Sequence, residues 1–344
     1  MVGAGAFGRN HLRVYRELES LYPGELELAA LIEPDAARRA EFEDLYQIPG
    51  FASVDEALQT RSKQDAAVPF TAASVCSPTI HHAAVAERLL EAGVDVLIEK
   101  PFAASLAEAD RVLALAERKQ RIVQIGHLER FNPAVTAAAQ RVTRPMFFEA
   151  HRLSIFTPRS LDVDVVLDLM IHDLDVVLSL TNSAVREVRA VGLPVLSPKV
   201  DIANVRVEFE SGCVANFTAS RVSTEQVRKL RLFQPHEYLS LDFARQELLS
   251  IKVDPSLLAQ LTSGAVNPAL LASAESSHPS RGLSLEKLEL PRAEPLRLEI
   301  EDFLAAVRNR TQPRVTGQAG RAALELALEI NRQIAEHAKR AGLA

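Results

Sequence analysis

The sequence predicts an α/β protein in two parts: a parallel sheet flanked by helices, then an α+β region with a mainly antiparallel sheet. Three observations lead there. Over residues 1–126, short apolar runs alternate with amphipathic helical stretches, the pattern of a parallel sheet with helices on both faces. Beyond about residue 145 the runs themselves alternate apolar and polar residues, as strands with one solvated or interface face do. The chain has 344 residues, more than one ordinary hydrophobic core serves. The expected domains are therefore 1–126 and 127–344.

In the first part, Arg9–Glu19 reads as a helix, Leu26–Glu33 as a strand, and Ala36–Leu45 and Val54–Gln59 as helices. Ala72–Cys76 is a strand ended by Ser77-Pro78, and His82–Ala92 is a helix stopped by Gly93. Val94–Ile98, Leu106–Lys119 and Ile122–Ile125 follow as strand, helix and strand. In the second part, strands are expected over Phe147–His151, Val205–Glu210, Val214–Ser220, Lys229–Phe233 and Tyr238–Phe243. Val163–Leu180 is strongly helical, and two helices, Leu296–Arg308 and Gly320–Arg340, close the chain. Residues 254–294 have weak periodicity and read as a long excursion that could be mobile.

Composition excludes some functions. A net charge of -6 gives no reason to expect nucleic acid or an anionic membrane as partner. No apolar run is long enough for a membrane helix, and the start lacks the pattern of a secretory signal. Cys76 and Cys213 stand far apart, which suggests neither a disulfide framework nor a cysteine metal site, and fits free thiols in a reducing cytoplasm.

Gly3-Ala4-Gly5-Ala6-Phe7-Gly8 is a GxGxxG loop opening a helix. The first glycine permits a tight turn, the second lets backbone N–H groups approach a pyrophosphate, and the third lets helix and strand pack closely. Glycines mark many loops, so context decides. Glu33 lies 25 residues past Gly8, at the end of the next strand, where an acid can bind both hydroxyls of an adenosine ribose. Together these point to a Rossmann dinucleotide site. Glu33 favours NAD because a carboxylate repels a 2′-phosphate; Arg38 and Arg39 nearby leave NADP open. The strand that should precede the glycines is reduced to Met1-Val2, which raises the expectation that the natural start lies upstream.

Glu99-Lys100-Pro101 follows a strand at its carboxyl end, where ligands of parallel sheets bind. A lysine there can polarise a substrate hydroxyl, or be a solvated loop residue. Asp168, His172 and Asp175 stand at i, i+4 and i+7, on one face of an otherwise apolar helix. His172 is suited to take a hydroxyl proton, with Asp168 orienting it. The same spacing also suits a zinc site or a merely wet face.

Gly3–Gly8, Ser77-Pro78-x3-His82, Glu91-Ala92-Gly93, Glu99-Lys100-Pro101 and Asp168-x3-His172-x2-Asp175 together resemble the Gfo/Idh/MocA oxidoreductases, as does the closing Pro313–Gly320 turn with its Ala/Leu-rich helix. The resemblance implies a Rossmann domain followed by an α+β domain whose open sheet covers the site and often mediates dimers or tetramers. It implies hydride transfer from a sugar or cyclitol to nicotinamide, with no metal. Lys100 would be the hydroxyl partner, His172 the proton acceptor and Asp168 the orienting carboxylate. Gly3, Gly5, Ala6, Phe7, Gly8, Glu33, Ser77, Pro78, His82, Glu99 and Lys100 would line the cofactor, although a helix-start histidine such as His82 could equally be satisfied by local bonds. The Lys100–Pro101 bond is a candidate for cis.

Residues 126–133 (GHLERFNP) and 167–175 (LDLMIHDLD) look like a narrower group that oxidises C3 of UDP-N-acetylglucosamine, making a 3-keto sugar for an aminotransferase on the route to amide-linked lipid A. Such a substrate carries two phosphates, which Arg130, Arg152, Arg159 and Arg221 could meet if they are not surface ion-pair residues. His127 and Asn132 complete the expected substrate set with Asp168 and His172. One departure stands out: Val166-Leu167 replaces the glycines that many members carry before the aspartate.

Overall fold

The computed structural model describes residues 1–62, 70–156, 163–253 and 283–342. It divides into two compact units. The first comprises Met1–Phe131 and Glu294–Glu325; the second comprises Asn132–Ala293 and Leu326–Ala344.

The first unit is the expected parallel α/β sheet. Strands β1 (Leu31–Ile32), β2 (Gly50–Phe51), β3 (Ala72–Val75), β4 (Asp95–Glu99) and β5 (Val123–Gly126) alternate with helices α1 (Gly8–Leu21), α2 (Ala36–Tyr46), α3 (Val54–Ser62), α4 (His82–Glu91) and α5 (Leu106–Lys119). All the strand pairs are parallel: β1 with β2, β3 with β4, β4 with β5. Val2 joins the two groups, bridging in parallel to both Ile32 and Val75. Its N–H donates to Ser74 O at 2.8 Å, and its carbonyl accepts from Cys76 N–H at 2.8 Å. The expected strand Leu26–Glu33 is correspondingly short. Leu26–Ala30 and Phe70–Ala73 line a groove of about 1140 Å³ together with Met1, and β1 is paired only over Leu31–Ile32, where β2 and Val2 lie alongside. A strand is defined by its neighbour's hydrogen bonds, so an extended run without one is not a strand.

Local chemistry sets the helix starts. Asp35 accepts Arg38 N–H at 2.7 Å and Ser105 accepts Glu108 N–H at 3.3 Å, satisfying first-turn donors of α2 and α5. Leu12, Leu18, Leu31, Leu97, Ile300 and Phe303 share one fully buried core.

That core contains α8 (Pro295–Asn309), whose residues the sequence reading assigned to the second domain along with all of 127–344. The apolar stripe of α8 packs on α1, Gln124 Nε2 donates to Glu299 O at 3.0 Å, and Thr316 bridges Gln124. Chain order alone could not show this return.

The second unit holds an eight-stranded sheet: β6 (Phe147–Ile155), β7 (Val185–Leu193), β8 (Ile202–Phe209), β9 (Val214–Ser223), β10 (Val227–Gln234), β11 (Glu237–Asp242), β12 (Glu247–Val253) and β13 (Leu283–Leu288). Their spatial order is β13-β12-β11-β10-β6-β9-β8-β7. Only β6 and β9 pair in parallel, with Ala150 opposite Phe217. Among the described residues, three helices belong here: α6 (Pro133–Ala139), α7 (Ile171–Thr181) and the end of α9 (Gly317–Arg340). Phe148, Ala150, Phe217, Leu230, Leu232, Leu239 and Leu241 form the buried face, against which α6 and α7 pack. The period of two turns Phe147, Glu149, Arg231, Phe233, Asn216 and Val191 to the other face. Strands β7, β12 and β13 and helix α6 were not expected. In β7 the first residues, Val185-Arg186-Glu187, are exposed at the sheet edge and dilute the alternation. Strand β13 falls inside the expected 254–294 excursion, of which 254–282 lie outside the described residues. Among the described residues, no helix is long and apolar enough to cross a membrane.

Candidate active site

The first unit supplies a phosphate-cradle geometry. Gly3 adopts φ +85°, and a Cβ there would stand 2.8 Å from the Cys76 carbonyl and Ser77 N. A Cβ at Gly8 would meet Gly3 O at 2.1 Å. Both positions therefore exclude a side chain, while the space before Gly5 is open beyond 4 Å. Phe7 is partly exposed beside it and stacks edge-on with His11 at 5.5 Å. Glu33 ends β1 beside this loop: its Oε2 accepts Ala4 N–H at 2.8 Å and its Oε1 accepts Asp35 N–H at 3.0 Å. Arg38 reaches Glu33 Oε1 at 3.4 Å, and Arg39 donates to Glu33 O at 2.7 Å. The loop, Glu33, Ser77 and Pro78 thus come together at the carboxyl ends of β1 and β3.

The residues fit a dinucleotide. The loop presents backbone N–H groups and the start of α1 to an open space, and the buried Ser77 Oγ has no hydrogen-bond partner among the described residues.

Glu99, Lys100 and Pro101 leave β4 together, and the Lys100–Pro101 peptide is cis. Glu99 is buried; its Oε1 lies 2.9 Å from His11 Nε2, and its Oε2 accepts Lys100 N–H at 3.3 Å. His82 is buried too. Its Nδ1 lies 2.9 Å from Pro101 O and its Nε2 2.7 Å from Ser77 O, so its ring links two turns through local bonds. Burial lowers the His82 pKa, opposed by the carbonyls of Ser77 and Pro101. His127 is buried after β5, and Arg130 is half-buried in the short turn that follows.

In the second unit, Asp168 and His172 are half-buried, whereas Asp173 and Asp175 are buried. The expected single α-helix over Val163–Leu180 is instead a π-helical turn, Val166–Met170, running into α7. Asp164 Oδ1 accepts the N–H groups of Val166 at 2.9 Å and Leu167 at 3.0 Å, capping that turn. A π turn closes on i+5 rather than i+4, so Asp168 is rotated relative to the face an unbroken α-helix would give it. Such turns concentrate at functional sites.

Three expected substrate residues make bonds within the second unit. Arg152 is buried, donating from Nε to Asp173 Oδ2 at 2.9 Å and from Nη2 to Asp173 Oδ1 at 2.8 Å, with Phe243 5.2 Å beneath it. Arg221 is buried and donates to Asp201 Oδ1 at 2.7 Å, Val163 O at 2.7 Å and Ser197 Oγ at 3.0 Å. The cost of desolvating a lone guanidinium explains both pairs. Asn132 caps α6 by accepting Ala134 N–H at 3.1 Å and donates to Phe243 O at 3.0 Å. Arg159 lies outside the described residues.

Burial alone would raise the Asp201 carboxyl, but the Ser197 hydroxyl, the Leu196 and Val195 amides and Arg221 together hold it well below the usual carboxylate range. Sequence reasoning missed His11, Asp164, Asp173 and Asp201. His11 carried one faint signal: it is the polar residue on a stripe made by Leu12, Val14, Tyr15 and Leu18.

A family model described as the oxidoreductase family with NAD-binding Rossmann fold matches residues 1–127, and the GFO/IDH/MocA C-terminal domain matches residues 135–233. A UDP-N-acetylglucosamine 3-dehydrogenase of Acidithiobacillus ferrooxidans is 35% identical over 331 residues, 96% of this chain and 95% of its own. A solved structure of that enzyme, GnnA, superposes with a TM-score of 0.82 over 97% of this chain and 96% of its own, at 34% identity. An inositol 2-dehydrogenase of Leifsonia xyli is 29% identical over 54% of each chain.

Proposed function

This chain belongs to the Gfo/Idh/MocA oxidoreductases, enzymes built on an NAD-binding Rossmann fold, and from that premise we propose that it oxidises C3 of UDP-N-acetylglucosamine or a close nucleotide sugar. The observation that carries the reading is the 35% identity to a UDP-N-acetylglucosamine 3-dehydrogenase across 96% of the chain. Lys100, which follows β4, and Asp168 and His172, in the π turn and the start of α7, are the residue types that such chemistry uses.

Bound NAD supplies the hydride acceptor. The chain's residues do the rest. The Lys100 ammonium polarises the substrate hydroxyl, His172 takes its proton, and Asp168 orients the imidazole. The carbon–hydrogen bond then breaks with its electron pair leaving as hydride, and the carbon–oxygen bond becomes a carbonyl. Gly3, Gly5 and Gly8 would hold the pyrophosphate on backbone N–H groups, Glu33 would take the adenosine ribose, and Ser77 and Pro78 would line the same pocket. On the substrate side, His127 and Arg130 are assigned to the sugar nucleotide.

A 3-keto nucleotide sugar is a substrate for an aminotransferase, which makes that class of enzyme the pathway partner, on a route to amide-linked lipid A in the cytoplasm. The open face of the second unit's sheet is assigned to a homodimer or homotetramer. Phe233 is partly exposed there, in an aromatic row with Phe147 at 5.6 Å and Tyr238 at 4.8 Å. Val191 and Leu193 are exposed on the edge strand β7 of the same sheet.

The test is direct: purified protein, NAD and UDP-N-acetylglucosamine, with a carbonyl trap and NADH absorbance as readout. Turnover of this substrate well above that of free sugars, inositol and UDP-sugar uronates supports the reading. Preference for another sugar replaces the substrate and keeps the reaction class. NAD binding without turnover of any of them makes the chain a redox-silent nucleotide-binding protein and overturns the proposal.

A further inference from the structure

The Lys100–Pro101 turn is held from outside its own strand by two histidines. His82, from α4, meets Pro101 O directly. His11 acts at one remove. It projects from α1, the helix that opens on the cradle, and is fully buried. Its Nε2 stands 2.9 Å from Glu99 Oε1, and a carboxylate only accepts, so Nε2 donates. The other carboxylate oxygen accepts the N–H of Lys100.

Two further facts show that Glu99 is confined. It lies against β5 so closely that a Cβ at Gly126 would stand 2.7 Å from Oε1 and 2.9 Å from Oε2. Cys76 completes a cluster whose polar atoms lie within 4.8 Å of one another. Burial raises the Cys76 thiol well above its ordinary value, so it adds no second charge. The His11 ring is itself fixed between Phe7 at 5.5 Å and Tyr15 at 6.5 Å.

From this geometry we infer that His11 is a positioning residue for the dehydrogenase reaction: through its bond to Glu99 it fixes the Lys100 turn relative to the helix that carries the dinucleotide cradle. A carboxylate with its oxygens tied in this way leaves the following residue one backbone placement, and small errors in placement at a reacting centre are costly. The neighbouring Nδ1 of His11 has no hydrogen-bond partner among the described residues, so the ring's polar work is done at Nε2.

Three variants test this. His11→Phe keeps a flat ring and removes the donor, His11→Gln restores a donor near Nε2, and Glu99→Gln removes the acceptor's charge. The kinetic arm rests on the dehydrogenase reading and is made on whichever substrate the wild type turns over; the other arms need none. In the kinetic arm, His11→Phe lowers kcat about tenfold or more, KM for substrate changes less than threefold, and His11→Gln recovers most of kcat. The double variant His11→Phe/Glu99→Gln is no slower than the worse single one, because both remove one interaction. In the substrate-free arm, hydrogen exchange of peptides spanning 99–104 rises several-fold in His11→Phe and returns toward wild type in His11→Gln, while peptides of β4 stay protected. NAD affinity stays within threefold in the two single His11 variants.

Equal loss in His11→Phe and His11→Gln, additive single effects, or unchanged exchange at 99–104 overturns the inference in favour of packing alone. A fall in NAD affinity that matches the fall in kcat overturns it in favour of a cradle role. If His11→Phe does not fold, the Glu99→Gln and His11→Gln pair still decides, since exchange at 99–104 must rise in the first and stay low in the second. A wild type without turnover defeats the functional reading and leaves the exchange arm to judge the coupling alone.

Discussion

At the residue scale, the assigned proton acceptor and the buried ion pairs respond to substitution in opposite ways. His172→Asn is expected to lower kcat about a hundredfold or more while leaving NAD affinity and thermal stability near wild type, because the task proposed for the imidazole is chemical. Steady-state kinetics with fluorescence titration of NAD checks it, and unchanged turnover would remove His172 from the mechanism. Asp201→Asn should instead cost about 3 kcal/mol in urea unfolding near neutral pH, because it leaves the Arg221 guanidinium buried without its anion. The sign of its pH dependence follows from the depressed carboxyl. Stability from Asp201 is fully present above the unfolded carboxylate value of about 4 and is lost as pH falls through the lower folded value. The variant should therefore lack that part of the acid sensitivity seen in wild-type melting curves. The thiols give a third expectation. Burial pushes Cys213 up to about 11 and Cys76 well above its ordinary value, so at about pH 8 both should resist iodoacetamide in the folded protein and react in urea. Lys100, Asp168 and His172 were legible as residue types in motifs. The pairing of Arg152 with Asp173 and of Arg221 with Asp201 was not, because a free arginine and a buried, neutralised one are spelled alike.

At the element scale, periodicity gave the helices of the parallel region almost residue by residue, as with Leu106–Lys119, since an amphipathic helix against a sheet repeats its apolar stripe strictly. It could not give the π turn at Val166–Met170, which depends on one backbone register and on the Asp164 cap rather than on hydrophobic spacing. That turn carries a prediction. Deleting Leu167 should let the segment close as ordinary α-helix, keeping the far-UV helical signal while rotating Asp168 and lowering turnover about a hundredfold. Retained turnover would show that the register of this turn is irrelevant to the site. The cradle carries the contrasting case. Gly8→Ala brings a methyl against Gly3 O, where no side chain can give way, so NAD affinity should fall steeply in a titration even if the protein still folds.

At the scale of the whole molecule, an eight-stranded sheet covered on one face leaves the other with Phe147, Phe233, Tyr238, Val191 and Leu193. Phe233→Asp combined with Val191→Asp should reduce the mass in light scattering to that of one chain if this face joins subunits, and an unchanged mass would place the interface elsewhere. The sequence by itself determined the parallel α/β half, the GxGxxG cradle, the turn after β4 and the change to an alternating sheet, because all of these are written as local spacing of apolar residues, glycines and prolines. Tertiary structure alone decided that 294–325 returns to the first unit, that Arg152 and Arg221 are neutralised, and that His11 grips Glu99 from a helix 88 residues away. These last are contacts between segments far apart in sequence, set by burial and charge compensation, and no local pattern records which distant partner a buried polar group will find.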